Sequence, residues 1–297
     1  NRARAARRRL RAGPARGRAS GEAAPGRRAA MEARVKLRIH LGDCKTGSTS
    51  IQAALAQGAV ETPGLALAYP VARGVVSHAP LAASLLPGRV LDAPPPETRF
   101  AALARRLAAA RADVAVLSAE WFEFVDPAQL RAAMEATMPE LVPGARLISY
   151  VRPHAGRLVS SWQQRVKAGT WGGGLDGFAD RLAEENRLLV APRLARWREV
   201  WGEAFEARPF LPERFEDGDV VRDFLGWALD GRPFALAARL EENRTLTLED
   251  LATLAAMHAR RAFARGEAGR LAAALEAIPR EGGTRPRAHR AALARLS

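Results

Sequence analysis

The sequence of 297 residues is poor in cysteine and has no long apolar run. Its single cysteine, Cys44, excludes an internal disulfide and any metal site built on several cysteines. No run reaches the roughly 20 apolar residues that a membrane-spanning helix needs. No cluster of His, Cys, Asp and Glu has metal-ligand spacing either. We therefore expect a soluble, cytoplasmic protein that has no membrane partner and requires no metal.

Acidic residues are too few to balance the basic ones, and the formal net charge is +14. Residues 1–30 hold ten Arg and one Glu, so they carry +9 of that charge, and residues 31–297 carry +5. The same thirty residues have almost no large apolar side chains, which predicts disorder. We favour an upstream extension or a mis-set start over a nucleic-acid arm or a transit peptide, so we do not expect a nucleic-acid partner.

The remaining pattern favours one α/β domain, since strand-like and helical segments alternate along the chain. A near-continuous apolar run at 113–118 is typical of a strand buried in a parallel sheet. We expect a three-layer α/β/α domain with a central, mainly parallel sheet over residues 31–265. The basic extension at 1–30 precedes it, and a helical tail at 266–297 follows. One predicted helix, over 178–201, carries Pro192, where we expect it to break.

Residues 35–55 predict a strand, a glycine-containing turn and a helix start in succession. The first N–H groups of a helix point outward at the positive end of its dipole. Lys45 adds a charge, and Gly47 lets the backbone approach a bound group. A helix start of this composition binds phosphate or sulfate. The predicted binding residues are Lys45, Thr46, Gly47, Ser48, Thr49 and Ser50. Within this turn, Cys44 could have a lowered pKa, although we favour a small side chain tolerated at a strand end.

The loop differs from that of nucleotide triphosphatases. Gly42 and Gly47 have the right separation, but Ser48 follows Gly47 where that motif requires lysine. KTGSTS instead resembles the 5'-phosphosulfate loop of sulfotransferases, a P-loop fold that uses 3'-phosphoadenosine 5'-phosphosulfate. A P-loop small-molecule or nucleotide kinase remains the alternative, although the sequence shows no acid of the Walker type.

A second strand-to-helix junction follows the predicted strand 146–151. Arg152 comes directly after it, and arginine can grip a phosphate through two parallel hydrogen bonds. YVRPHAGRLVSSWQQRVKAG resembles the 3'-phosphate-binding segment of sulfotransferases, in which an Arg and a Ser eight residues later hold the cofactor. Arg152 and Ser160 have that separation. The Arg-Lys-Gly triplet of cytosolic animal members is absent, which leaves Arg165, Lys167 or Arg244 to complete the site.

Glu120 follows the buried strand 113–118, at the strand end where open α/β sheets bind ligands. The neighbouring Trp121 and Phe122 predict a raised pKa, which suits a general base. Glu120 resembles the carboxylate base of the heparan-type sulfotransferases. His78 is the alternative base, because cytosolic members use histidine.

The resemblance covers about residues 35–263 and implies transfer of a sulfuryl group to a hydroxyl or amine. Lys45 would stabilise charge on the leaving oxygen. We expect a small-molecule or carbohydrate acceptor, held by the loops at 71–96 and 169–177, and we keep a homodimer among the expected assemblies. A non-catalytic cofactor-binding relative is the second alternative.

Overall fold

The computed structural model describes residues 35–88, 94–187, 189–237, 246–260, 266–278 and 282–288. The predicted extension at 1–30 and the candidate Arg244 lie outside the described residues.

A parallel sheet forms the centre of the described chain. Its strands are β1 (Lys36–His40), β3 (Leu67–Ala68), β4 (Val114–Ser118), β5 (Arg146–Val151) and β6 (Phe205–Pro209). They lie in the order β3-β4-β1-β5-β6, and each neighbouring pair is parallel. A separate antiparallel pair joins β2 (Val60–Glu61) to β7 (Ala235–Leu236). β3 pairs with β4 through only two residues, Leu67 and Ala68.

Helices cover both faces of this sheet. They are α1 (Ser48–Ala56), α2 (Ala79–Ser84), α3 (Pro96–Ala110), α4 (Pro127–Thr137), α5 (His154–Lys167), α6 (Leu175–Glu184), α7 (Val190–Trp201), α8 (Val220–Ala228), α9 (Leu248–Arg260) and α10 (Glu267–Ala277). Short 3₁₀ helices include Glu120–Phe124 directly after β4.

The strand residues alternate between two cores because successive side chains point to opposite faces of the sheet. On one face, Leu37 and Ile39 pack with Phe100 of α3, Leu130 of α4 and Trp197 of α7. On the other face, strand residues pack with α1 and α8, including Ile51 and Phe224. The sequence-based prediction of a three-layer α/β/α domain with a mainly parallel sheet is confirmed.

A third cluster lies among the helices that follow β5. Leu158 and Trp162 of α5 pack with Phe178 of α6, Leu251 of α9 and Ala272 of α10. Residues 267–277, which the sequence analysis assigned to the tail, therefore pack against the helix that follows Arg152.

The predicted break at Pro192 is wrong. The chain leaves the helical conformation between Glu184 and Val190, and Pro192 lies in the first turn of α7. Proline is tolerated there because the first N–H groups of a helix have no intrahelical acceptor.

Strand order decides where the candidate residues meet. β1 pairs with β4 on one side and with β5 on the other, and all three run in the same direction. The segments after their carboxyl ends therefore emerge side by side at one edge of the sheet. These segments contain the loop at 42–47, Glu120 and Arg152.

Candidate functional site

The loop at 42–47 joins β1 to α1 and leaves several backbone donors open. Gly47 is the N-cap of α1 and has a left-handed φ of 78°. The N–H groups of Gly47, Ser48 and Thr49 donate to no acceptor among the described residues. Unpaired donors at the positive end of a helix dipole favour an anion.

Gly47 is required for a reason that the sequence analysis missed. A Cβ built on Gly47 would lie 2.6 Å from Val220 Cγ1 of α8. That contact is far shorter than van der Waals distance, and the positive φ adds backbone strain for any other residue. The glycine therefore permits close packing of the loop against α8, whereas we expected it to make room for a ligand.

Lys45 lies half-buried in this loop, among charges of both signs. Burial lowers the pKa of Lys45, and the nearby cations Lys167 and Arg152 act in the same direction. Glu120 opposes them and favours the charged ammonium. The Lys45 side chain therefore shares one electrostatic environment with Glu120 and Arg152, residues that follow two different strands.

Arg152 joins the second junction to the first. Its Nη1 donates to the backbone carbonyl of Lys45 at 2.9 Å, and its guanidinium carbon lies 5.3 Å from the centre of the Phe210 ring. A Cβ on Gly156, one turn into α5, would lie 3.0 Å from Arg152 Nε. The side chain is thus held by the loop, an aromatic ring and a glycine, and burial lowers its pKa.

Glu120 contacts the loop from the β4 side. Ser48 Oγ donates to Glu120 Oε2 at 3.2 Å, in the first turn of α1. A Cβ on Gly42 would lie 3.0 Å from the Glu120 Cα. The carboxylate therefore lies beside the open N–H groups of the loop.

The other predicted hydroxyl groups differ in whether they already hydrogen-bond within the described protein. Thr46 is buried, and its Oγ1 donates to the Asp43 carbonyl at 2.6 Å, so its side chain holds the loop and cannot point to a ligand. Thr49 is exposed, and Ser50 and Ser160 are half-buried. The side chains of these three make no hydrogen bond to any described residue.

His78 has a geometry that argues against a role as general base. Its Nδ1 accepts a hydrogen bond from the Ser118 N–H at 3.1 Å, so the proton of the neutral ring lies on Nε2. Burial lowers the pKa of His78 to about 4. The ring consequently has no free lone pair with which to take a proton.

Cys44 is not an activated thiol. Burial raises its pKa, and the neighbouring Glu123 and Glu120 act in the same direction. The suggested lowered pKa is wrong, because burial and then the two carboxylates raise it, and the favoured alternative of a small side chain at a strand end is consistent with this.

Asp43, which the sequence analysis did not single out, belongs to the loop at 42–47, and its side chain is completely buried. Arg193 of α7 grips both its carboxylate oxygens, at 2.7 and 2.6 Å. Arg157 of α5 donates to Oδ2 at 2.8 Å, and Ser149 Oγ donates to Oδ1 at 3.0 Å. Burial and Glu123 raise the pKa of Asp43, and the two arginines oppose that rise.

Glu123 completes this group, which we call the charge cluster (Asp43, Glu123, Arg157 and Arg193). Arg157 Nη2 donates to Glu123 Oε1, and the Cys44 N–H donates to Glu123 Oε2 at 2.9 Å. The charge cluster thus fixes the loop against α5, α7 and the 3₁₀ helix of Glu120. One sequence signal could have indicated the charge cluster: Arg157 lies on the apolar face of α5, next to Leu158, where a charged side chain needs a buried partner.

Two of the residues suggested to complete the 3'-phosphate site are described. Lys167 bonds to Glu276 of α10 and lies close enough to affect the pKa of Lys45. Arg165 is exposed on α5, next to the buried Val166.

Two features are absent from the described ranges of the chain. No group of three or more His, Cys, Asp or Glu could hold a metal ion. No helix there is long and apolar enough to cross a membrane.

Comparison with known proteins gave one match. No family model and no curated protein matches the chain. A solved structure, a sulfotransferase from Alicyclobacillus acidocaldarius, is similar at 16% sequence identity with a TM-score of 0.47. The match covers 76% of this chain and 92% of that chain.

Proposed function

We propose that the protein is a sulfotransferase. It would transfer a sulfuryl group from 3'-phosphoadenosine 5'-phosphosulfate to a hydroxyl or amine of a small-molecule or carbohydrate acceptor. The observation that carries this proposal is the hydrogen bond from Arg152 Nη1 to the Lys45 carbonyl at 2.9 Å. It links the two junctions whose motifs resemble the two phosphate sites of such a donor.

In this proposal the loop holds the 5'-phosphosulfate. The N–H groups of Gly47, Ser48 and Thr49 are open to an anion within the described chain, and the Lys45 ammonium lies in the same loop. Arg152 takes the 3'-phosphate with Ser160, whose hydroxyl makes no hydrogen bond to a described residue. Arginine suits that task because its planar fork matches phosphate oxygens.

The chemistry is an in-line displacement at sulfur. The acceptor oxygen or nitrogen forms a bond to sulfur while the bond from sulfur to the phosphate oxygen breaks, and adenosine 3',5'-bisphosphate leaves. Lys45 stabilises the negative charge that grows on the leaving oxygen. Glu120 takes the acceptor proton, and its contact with Ser48 supports this assignment because it puts the carboxylate beside the loop.

The test is transfer of labelled sulfate from this donor to a panel of hydroxyl and amine acceptors. We expect Glu120→Gln to abolish transfer while affinity for adenosine 3',5'-bisphosphate stays unchanged. Glu135→Gln on α4 is the matched control, since Glu135 is exposed and pairs with Arg131. Normal transfer by Glu120→Gln would remove the assigned base.

Two other outcomes would replace the proposal. Phosphorylation of any acceptor from ATP would establish a kinase, although the lack of a lysine directly after Gly47 argues against one. Tight binding of adenosine 3',5'-bisphosphate without transfer to any acceptor would establish a non-catalytic relative.

A further inference from the structure

A cavity of about 310 Å³ lies between the segment after β3, the start of α2 and one face of α3. That volume is within the usual range for small-molecule sites. Its apolar wall includes Val75, Leu81 and Leu103, and its polar wall includes His78, Arg99 and Arg106. None of the residues assigned above to the donor lines this cavity, although His78 was the alternative base.

The charge of the cavity is one-sided. Among the described residues, no Asp or Glu lines it. Arg99 and Arg106 are seven residues apart, two turns along one face of α3. Arg99 Nε donates to the Pro94 carbonyl at 3.2 Å. In the described part of the chain, neither guanidinium pairs with a carboxylate.

This absence of pairing differs from other helices of the same protein. Arg131 pairs with Glu135 on α4, and Arg181 pairs with Glu185 on α6, each at i, i+4. Two unneutralised guanidiniums beside an apolar wall provide both charge and contact area for an organic anion.

His78 makes the wall between these arginines and the sheet rigid. The His78 backbone N–H donates to the Ser118 carbonyl at 2.8 Å, and the ring Nδ1 accepts from the Ser118 backbone N–H. The Tyr69 ring packs edge-on against the His78 ring, with the ring centres 5.0 Å apart. Burial is the main cause of the lowered pKa of His78, and Arg106 is near enough to lower it further. Nε2 makes no hydrogen bond to a described residue, although the Pro70 carbonyl is near enough to affect the same pKa.

We infer that this cavity is a binding site for a small organic anion, an apolar ring or short chain that carries a carboxylate. The apolar body lies against Val75, Leu81 and Leu103, and the carboxylate pairs with Arg99 and Arg106. Part of the lining comes from the loop at 71–96, where we expect the acceptor, but the inferred binding requires neither the donor nor the transfer reaction.

The test uses 2-naphthoate as the probe, titrated into the full chain by calorimetry, with the cation 2-naphthylmethylammonium as its charge-reversed counterpart. We expect binding of the carboxylate alone, weakened by added salt because the pairing cations lie near the surface. The double variant Arg99→Gln, Arg106→Gln should lose affinity about thirtyfold, as two partly exposed ion pairs predict. The matched control is Arg105→Gln, on the same helix but outside the cavity, and it should bind as the wild type.

A second variant tests the apolar wall without removing charge. Ala102→Phe puts a ring where the half-buried Ala102 lines the cavity, and it should abolish binding while leaving the unfolding midpoint near that of wild type. Equal affinity of Arg105→Gln and the double variant, or equal binding of both probes, would overturn the inference. Binding of adenosine 3',5'-bisphosphate, measured on the same samples, reports separately on the proposed function and should be equal in all of them.

Discussion

Asp43 draws its partners from three distant parts of the chain. Ser149 lies on β5, Arg157 lies on α5 and Arg193 lies on α7. A buried carboxylate is tolerated because two guanidiniums compensate its charge. Removing one member of such a group leaves a buried charge without its partner, and that uncompensated charge destabilises the fold. The charge cluster therefore stabilises the loop only as a complete set.

We expect Arg193→Ala to lower the free energy of unfolding by about 3 kcal/mol, the cost of breaking a buried pair from one side. Urea unfolding measures this directly. Arg196→Ala is the matched control on the same helix, because Arg196 is exposed and pairs with Glu199 at the surface. Equal unfolding midpoints for the two variants would show that the charge cluster does not stabilise the fold.

Sequence reasoning found the residues whose role is local and missed those whose partners are remote. Lys45 and Arg152 stand in short motifs at strand ends, so their positions follow from the chain around them. Asp43 and Arg193 are 150 residues apart, and nothing in either local pattern indicates the other. The environment of His78 was not predictable for a related reason, since its tautomer is set by the backbone of Ser118, forty residues away.

At the scale of elements, the start of α5 is built around the Arg152 side chain. Gly156 lacks the Cβ that would lie 3.0 Å from Arg152 Nε and 3.5 Å from its Cγ. The helix accepts a glycine there at a cost of about 1 kcal/mol relative to alanine. We infer that this cost allows the guanidinium to lie against the helix.

Gly156→Ala should therefore separate stability from binding. Alanine favours the helix by up to about 1 kcal/mol, while the displaced Arg152 should weaken adenosine 3',5'-bisphosphate about tenfold, or about 1.4 kcal/mol. Gly226→Ala in α8 is the control, since its Cβ would meet nothing within 4 Å. Thermal unfolding and calorimetry on both variants give the comparison, and unchanged affinity in Gly156→Ala would contradict the role of Gly156.

The elements themselves were largely predictable, because apolar periodicity is a local property. The strands at 114–118 and 146–151 fall close to where the patterns indicated. The break at Pro192 was not predictable from proline alone, since the same residue suits a helix start as well as an interruption. Strand order, which brings the three junctions together, depends on packing between distant segments.

At the scale of the whole molecule, two buried histidines couple stability to pH. His40 ends β1, hydrogen-bonds through Nδ1 with Ser118 Oγ at 2.8 Å, and packs against Phe224. Burial lowers its pKa to about 3, and that of His78 to about 4, from an ordinary 6.5. The unfolded chain binds more protons than the folded one below pH 6.5, so stability is complete above that value and falls as pH decreases.

Between pH 7 and pH 5, each histidine should cost about 2 kcal/mol of unfolding free energy. His78→Asn keeps an acceptor near the Ser118 N–H but removes one titration. It should therefore reduce the loss by about 2 kcal/mol, whatever its effect on absolute stability. Urea unfolding at the two pH values gives the difference, and an identical loss in wild type and variant would rule out this coupling for His78.

We propose that two junctions, one at Lys45 and one at Arg152, hold opposite ends of one donor. The most direct measurement compares adenosine 3',5'-bisphosphate with adenosine 5'-phosphate by calorimetry, in wild type and in Arg152→Ala. We expect loss of the 3'-phosphate to weaken binding to wild type about thirtyfold, as charge-assisted hydrogen bonds predict, and to change binding to Arg152→Ala very little. An equal penalty in both proteins, or no binding of either nucleotide to wild type, would contradict the claim.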